Sequence, residues 1–256
     1  MPLASGDDNL AVDFAEARAR SPQVVAPALV PPSSQAMTPP QRIQQNLLAS
    51  GERRLLNWIC PRLPAWMMPD HLTAIGFCGA MLCAAGYVLS NWNVNWLWLS
   101  IAAYFINWFG DSLDGSLARF RKIERPAFGY FIDHSADSLA NLILVTSFGI
   151  SPFVHLNVAL FGAASYLLLS IHTFLAARVA DEFRLSYLAG GPTELRILLI
   201  AVTFSMWFFG AKTLFETQYT MFDVFFGTVA SILVLLYIVQ TISTAKMLSA
   251  RGNGAA

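Results

Sequence analysis

Residues 111–141 read DSLDGSLARFRKIERPAFGYFIDHSADSLAN. Four aspartates here, Asp111, Asp114, Asp133 and Asp137, fall inside segments that are otherwise apolar and of helix length. Ionised carboxylates at membrane depth are costly and normally face a cavity, a partner or an ion. On a helix, residues three and four apart share a face. Asp111, Asp114, Gly115 and Ala118 therefore form one stripe, and Gly129, Asp133, Asp137 and Asn141 form another. A short loop joins the two helices, so they run antiparallel and their stripes can converge.

The segments around this stretch set the fold class. The chain has 256 residues, 55% of them apolar and 12% charged. Soluble domains carry roughly 25% charged residues, so the composition points to an all-α integral membrane protein. A spanning helix needs about 20 mostly apolar residues. Six segments qualify once the aspartates are set aside: 71–90, 96–119, 128–149, 155–177, 195–210 and 222–245. The fifth is short, and its end near Gly210 is left open. Six transmembrane helices follow, in a membrane domain over 67–247. Residues 248–256 read as a flexible end. No repeat is visible. Cys60, Cys78 and Cys83 lack metal-ligand spacing and read as small buried hydrophobes. The formal net charge of zero gives no sign of nucleic acid as a partner.

Residues 1–38 are acidic at the start and then proline-rich, without the apolar core of a secretory signal. They read as a disordered tail. Residues 39–66 hold an amphipathic helix and a linker. Ile43, Leu47, Gly51, Leu55 and Trp58 lie near one face, and Arg42, Gln45, Glu52 and Arg53 lie elsewhere. A helix of this kind lies on the membrane surface or packs as a soluble helix on a neighbour; the Trp and the arginines favour the first.

Lys and Arg set the orientation. With the N-terminus inside and six helices threaded, 15 of the 16 basic residues fall on the inner side and only Lys212 falls outside. Both termini and the four aspartates are then cytoplasmic, beside the basic loop Arg119–Arg125.

Carboxylates this dense repel one another unless compensated. Hard divalent cations such as Mg²⁺ bind oxygen ligands and share them with substrate phosphates. Two such ions can stabilise the attacking and leaving oxygens of a phosphoryl displacement. Zinc suits the site less, since no Cys or His falls at ligand spacing. His134 points about 100° away from Asp133 round the helix and reads as packing or as support behind the ligands. His172 reads as a hydrogen-bonded structural histidine, with a functional role left open.

The pattern D-x2-D-G-x2-A-R…G-x3-D-x3-D resembles that of the CDP-alcohol phosphatidyltransferases. Nine residues separate Arg119 from Gly129, where eight is commoner; the extra residue falls in the loop and leaves both stripes in phase. Residues 69–76, Pro-Asp-His-Leu-Thr-Ala-Ile-Gly, are similar to the start of that family's first helix, with Asp70 in place of an Asn. The resemblance covers roughly residues 40–246.

The resemblance implies transfer of a phosphatidyl or phospho-alcohol group from a CDP-alcohol to an acceptor hydroxyl, with release of CMP, in phospholipid biosynthesis. It implies Asp111, Asp114 and Asp133 as ligands of two Mg²⁺ or Mn²⁺ ions. Asp137 would be a ligand or near-ligand and the catalytic general base. Gly115, Ala118 and Gly129 would line the nucleotide pocket with Thr73 near it, and Arg119 would contact the diphosphate or hold the carboxylates. The family also implies membrane lipids as partners and a homodimer. If the acceptor carries a phosphate, Arg178, Arg184 and Arg196 are the candidates to bind it. Pro192 and Thr193 also read as an ordinary helix start.

Three other classes compete. Aspartate-rich prenyltransferases carry two distant acidic boxes, whereas here both halves share one hairpin. A cation transporter leaves Gly115, Ala118, Gly129 and the basic loop without a role. An inert scaffold leaves all four acids unexplained. Acceptor and donor stay open, including CDP-choline or CDP-ethanolamine transfer onto diacylglycerol. Gly76, where members using glycerol phosphate often carry Arg, disfavours that acceptor.

Overall fold

The computed structural model describes residues 48–180, 191–214 and 217–253, all within one unit, Pro40–Ala256. The N-terminal tail, the amphipathic segment up to residue 47, residues 181–190 with Arg184, residues 215–216 and the last three residues lie outside them.

The described residues are helical apart from turns and an isolated bridge between Thr213 and Thr220. The order is α1 (Ala49–Ile59), α2 (Pro69–Leu89), α3 (Leu97–Arg121), α4 (Pro126–Ile150), α5 (Leu156–Ala180), α6 (Pro192–Phe209) and α7 (Met221–Asn253). All six segments expected from the sequence are helices. Four of them, α2, α5, α6 and α7, are long and apolar enough to cross a membrane. Helices α3 and α4 are 25 residues each, and their aspartates and asparagines lower their hydropathy.

Local chemistry sets the helix ends. Pro69, Pro126 and Pro192 each occupy the first turn, where a missing N–H costs nothing. Helix α6 therefore starts three residues earlier than its apolar run, and Glu194 Oε2 accepts the Gly191 N–H at 2.9 Å. It stops at Phe209 because Gly210 takes φ +70°, which glycine adopts at little cost. Helix α3 ends on Lys122 in the left-handed region, with the Ile123 N–H bonded to the Ala118 carbonyl at 3.0 Å.

Helix α2 is the central element and packs on both α3 and α4; α3 also packs on α6, α4 on α5, and α5 on α7. The α2–α3 seam is built on glycines. A Cβ on Gly110 would lie 2.2 Å from Gly76 N, and one on Gly79 would lie 2.5 Å from Asn107 N. Small residues let membrane helices approach this closely.

Two apolar clusters flank the middle of α3. Leu56, Cys60, Leu72, Leu113 and Leu117 join α1 to α2 and α3. Tyr87, Leu97, Tyr104, Leu144, Phe148, Phe153 and Met206 fill the other end. There the Tyr87 hydroxyl meets Tyr104 at 3.1 Å and also bonds Thr203 of α6. Buried hydroxyls paired this way avoid a desolvation penalty.

Candidate active site

All four aspartates line one cleft. Helix α3 supplies Asn107, Asp111 and Asp114, and α4 supplies Asp133, Ala136, Asp137 and Ala140. Helix α2 supplies Thr73, Gly76 and Phe77. The two stripes thus meet across a space that α2 closes, and Ala136 and Ala140 keep the α4 wall low between acids.

Thr73 Oγ1 donates to Asp114 Oδ2 at 2.7 Å. Arg196 reaches in from the first turns of α6, donating from Nε to Asn107 Oδ1 at 2.8 Å and pairing with Asp111. Asn107 also donates to the Gly76 carbonyl at 2.9 Å, so one amide joins α2, α3 and α6. The remaining Arg196 amino group, Nη1, is buried with no hydrogen-bond partner among the described residues. A buried, unpaired guanidinium donor is costly, and an incoming anion would satisfy it.

Oxygen donors dominate the cleft, which fits a hard divalent cation. Ligand atoms of Asp133, His134 and Asp137 lie within 4.8 Å of one another. His134, expected from helical phase to pack or to support the ligands, thus also brings a ring nitrogen beside two of the carboxylates. Its ring also packs edge-on against Tyr130, with centroids 4.3 Å apart, and against Phe174.

The other expected residues fall less centrally. A Cβ on Gly129 would meet nothing within 4 Å, and one on Gly115 would meet only the Arg119 guanidinium at 3.3 Å. Neither glycine is therefore a helix-packing contact. Arg119 is exposed and donates to Ser116 Oγ at 3.3 Å. Arg178 is exposed on α5 and does not line the cleft. Arg184 lies outside the described residues. Of the three candidate acceptor arginines, Arg196 is the one shown beside the aspartates. His172 is buried on α5, with Nδ1 3.2 Å from Thr241 Oγ1, and takes no part in the cleft.

Two arginines tie the segments around the helix ends together. Arg121 donates to the carbonyls of Leu63, Pro64, Ala65 and Met67, which fastens the chain before α2 to the end of α3. Arg125 pairs with Asp70, joining the starts of α2 and α4. Neither Asn107 nor this pair was evident from spacing, because each depends on contacts between distant segments.

Over 120 residues the sequence is 32% identical to an archaetidylinositol phosphate synthase of Methanothermobacter thermautotrophicus. That alignment covers 46% of this chain and 56% of the relative's length. Residues 66–242, which contain every cleft-lining residue, match the family described as CDP-alcohol phosphatidyltransferase. With four helices long and apolar enough to cross a bilayer, the chain is a multi-pass member of the CDP-alcohol phosphatidyltransferase family.

Proposed function

We propose that the protein transfers a phosphatidyl group from a CDP-alcohol, such as CDP-diacylglycerol, to the hydroxyl of an acceptor alcohol and releases CMP. The observation that carries this reading is the meeting of Asp111, Asp114, Asp133 and Asp137 in one cleft beside Thr73. Those four carboxylates would hold two Mg²⁺ or Mn²⁺ ions, which offset charge developing on the departing CMP.

The chain's own groups do the rest. Asp137 takes the proton of the acceptor hydroxyl. The freed oxygen attacks the phosphorus that bears the donor's alcohol. The bond from that phosphorus to the CMP oxygen breaks, its electron pair leaves with CMP, and a phosphodiester remains. Gly115, Ala118 and Gly129 leave the nucleotide room against backbone, and Arg119 meets the diphosphate.

The acceptor in this reading carries a phosphate, as an inositol phosphate does. Two observations support it: the relative's name and the unpartnered Nη1 of Arg196. All six long helices span, α1 lies on the cytoplasmic surface, and cleft and termini face the cytoplasm. The 15-to-1 bias of basic residues supports this orientation. Two copies associate in the membrane.

The test is CMP release by the purified full-length chain in lipid, across a panel of CDP-alcohols and acceptors, with and without Mg²⁺ or Mn²⁺. Metal-dependent CMP release with a phosphate-bearing acceptor is expected. Asp137→Asn should lose at least about 100-fold of it; full activity in that variant refutes the assigned base. Cation flux without CMP would make the chain a transporter, and CMP release only with CDP-choline and diacylglycerol would reverse the donor and acceptor classes.

A further inference from the structure

Glu52 lies outside the aspartate motif and outside residues 66–242, which match the family. Yet a single oxygen of its carboxylate, Oε1, accepts three hydrogen bonds from two other helices. Trp108 Nε1 donates at 2.9 Å and Ser112 Oγ at 3.0 Å, both from α3, and Thr193 Oγ1 donates at 2.8 Å from α6. Each donor sits close to a cleft residue in the chain. Trp108 follows Asn107, Ser112 follows Asp111, and Thr193 lies one turn before Arg196. Another bond joins α1 and α6 in the opposite direction, from the Leu48 N–H to Glu194 Oε1 at 3.3 Å.

The two helices that Glu52 joins are held differently. Helix α3 is locked to α2 through the glycine seam. The first turns of α6 carry exposed Leu195, Ile197 and Leu198, and polar bonds tie them to the rest: Arg196 to α3, and Thr193 and Glu194 to α1. Helix α1 in turn buries Leu56 on the α3 side and leaves Leu55 and Trp58 exposed, the pattern of a helix seated on a lipid surface.

We propose that Glu52 is a positioning residue that fixes the first turns of α6 to α3 and so holds Arg196 against Asn107 and Asp111. Helix α1 thereby links the seating of the chain on the membrane to the geometry of the cleft. A carboxylate suits this role because bonds to an ionised acceptor are roughly twice as strong as bonds to a neutral one. The amide oxygen of a Gln can take the place of Oε1 but accepts the same donors more weakly.

The kinetic part rests on reading Arg196 as the group that binds the acceptor's phosphate; the structural part does not. Hydrogen exchange is measured on the full chain in lipid for wild type, Glu52→Ala, Glu52→Gln and Thr193→Val. The amides of residues 196–199, which bond back into the first turn of α6, should exchange about tenfold faster in Glu52→Ala, the scale of one lost hydrogen bond to a charged acceptor. Amides in the middle of α5 should not change. Glu52→Gln should fall between wild type and Glu52→Ala. Combining Glu52→Ala with Thr193→Val should add little, because both remove the same bond.

In the CMP assay the acceptor KM should rise about tenfold while the donor KM stays within about twofold. If Glu52→Ala does not fold, Thr193→Val decides: it spares the bonds to Trp108 and Ser112 and should still raise exchange at 196–199. Unchanged exchange in the folded variants overturns the proposal, as does an equal loss for donor and acceptor. If wild type releases no CMP from any CDP-alcohol, the functional reading fails while the exchange data still decide the role of Glu52.

Discussion

Adding one methyl group at Gly110 should damage both the fold and the cleft. In Gly110→Ala the new Cβ would lie 2.2 Å from Gly76 N, 2.4 Å from the Leu72 carbonyl oxygen and 2.5 Å from Gly76 Cα. All three are backbone atoms of α2, so no rotamer change relieves the contact. Carbon atoms settle near 3.5–4.0 Å, so the helices must part by about 1 Å or more. Overpacking costs about 1–3 kcal/mol in general, and a clash with backbone on both sides belongs at the upper end. For a domain of this size, about 3 kcal/mol lowers the melting temperature by roughly 6–12 °C.

The same displacement reaches the chemistry. Gly110 precedes Asp111, and the Thr73–Asp114 hydrogen bond of 2.7 Å crosses the same seam. A misplacement of about 1 Å can cost roughly 100-fold in rate. Thermal unfolding in lipid gives the first number, and CMP release below the transition, per folded molecule, gives the second. Wild-type stability would refute the close approach of α2 and α3. A lowered melting temperature with undiminished activity would refute the idea that this seam sets the spacing of Thr73, Asp111 and Asp114.

Other substitutions separate folding from chemistry. Gly129→Ala meets nothing within 4 Å and should stabilise α4 by up to about 1 kcal/mol, while CMP release falls because the nucleotide loses room; a rise in melting temperature with full activity would remove Gly129 from the pocket. Arg196→Lys keeps the charge but cannot span Asn107 and Asp111 together, so the acceptor KM should rise about tenfold in steady-state assays. Asp223→Asn acts at the far end. Asp223 is buried and accepts bonds from the His155 N–H and ring Nδ1 and from the Thr220 N–H and hydroxyl. An NH₂ in that nest of donors should cost about 1–3 kcal/mol in thermal unfolding with activity per folded molecule unchanged. Asp137 lies 13 residues before the end of α4 at Ile150, about 20 Å along the helix.

The helices and the aspartate stripes were legible in the sequence because both are periodic, local signals. The third apolar segment, expected over 128–149, is Pro126–Ile150 in the structure, shifted only by the proline that opens it. What escaped the sequence reading depends on contacts that no period encodes. Gly76 closes the Pro69–Gly76 stretch and marks a position without Arg, but no spacing tells that Gly110 rests against its backbone. Asn107 lies one turn before Asp111 on the same stripe, but an amide in a helix has no distinctive signature in the sequence. Nothing in the spacing of Arg178, Arg184 and Arg196 singles out Arg196; the α3–α6 packing does. Helical phase gives the direction of His134 but not the length of its side chain, which brings a ring nitrogen within 4.8 Å of the ligand atoms of Asp133 and Asp137.

Arg196 changes how much charge metal ions would have to offset. Four carboxylates in an apolar segment call for compensation, with a metal ion as the simplest source and Arg119 as another candidate. The fold supplies part of the compensation itself, since one guanidinium pairs with Asp111. A single fixed positive charge cannot balance four negative ones, and a donor diphosphate entering the cleft enlarges the deficit. One divalent ion would still leave the cleft negative before the donor binds; two would more than cancel the remaining carboxylates and leave positive charge for the diphosphate. If instead one ion saturated the site in a titration followed by calorimetry, Arg196 would have to turn from Asp111 to the substrate during binding. Arg196→Met would then raise the number of ions bound, whereas in a two-ion site it should leave the stoichiometry unchanged.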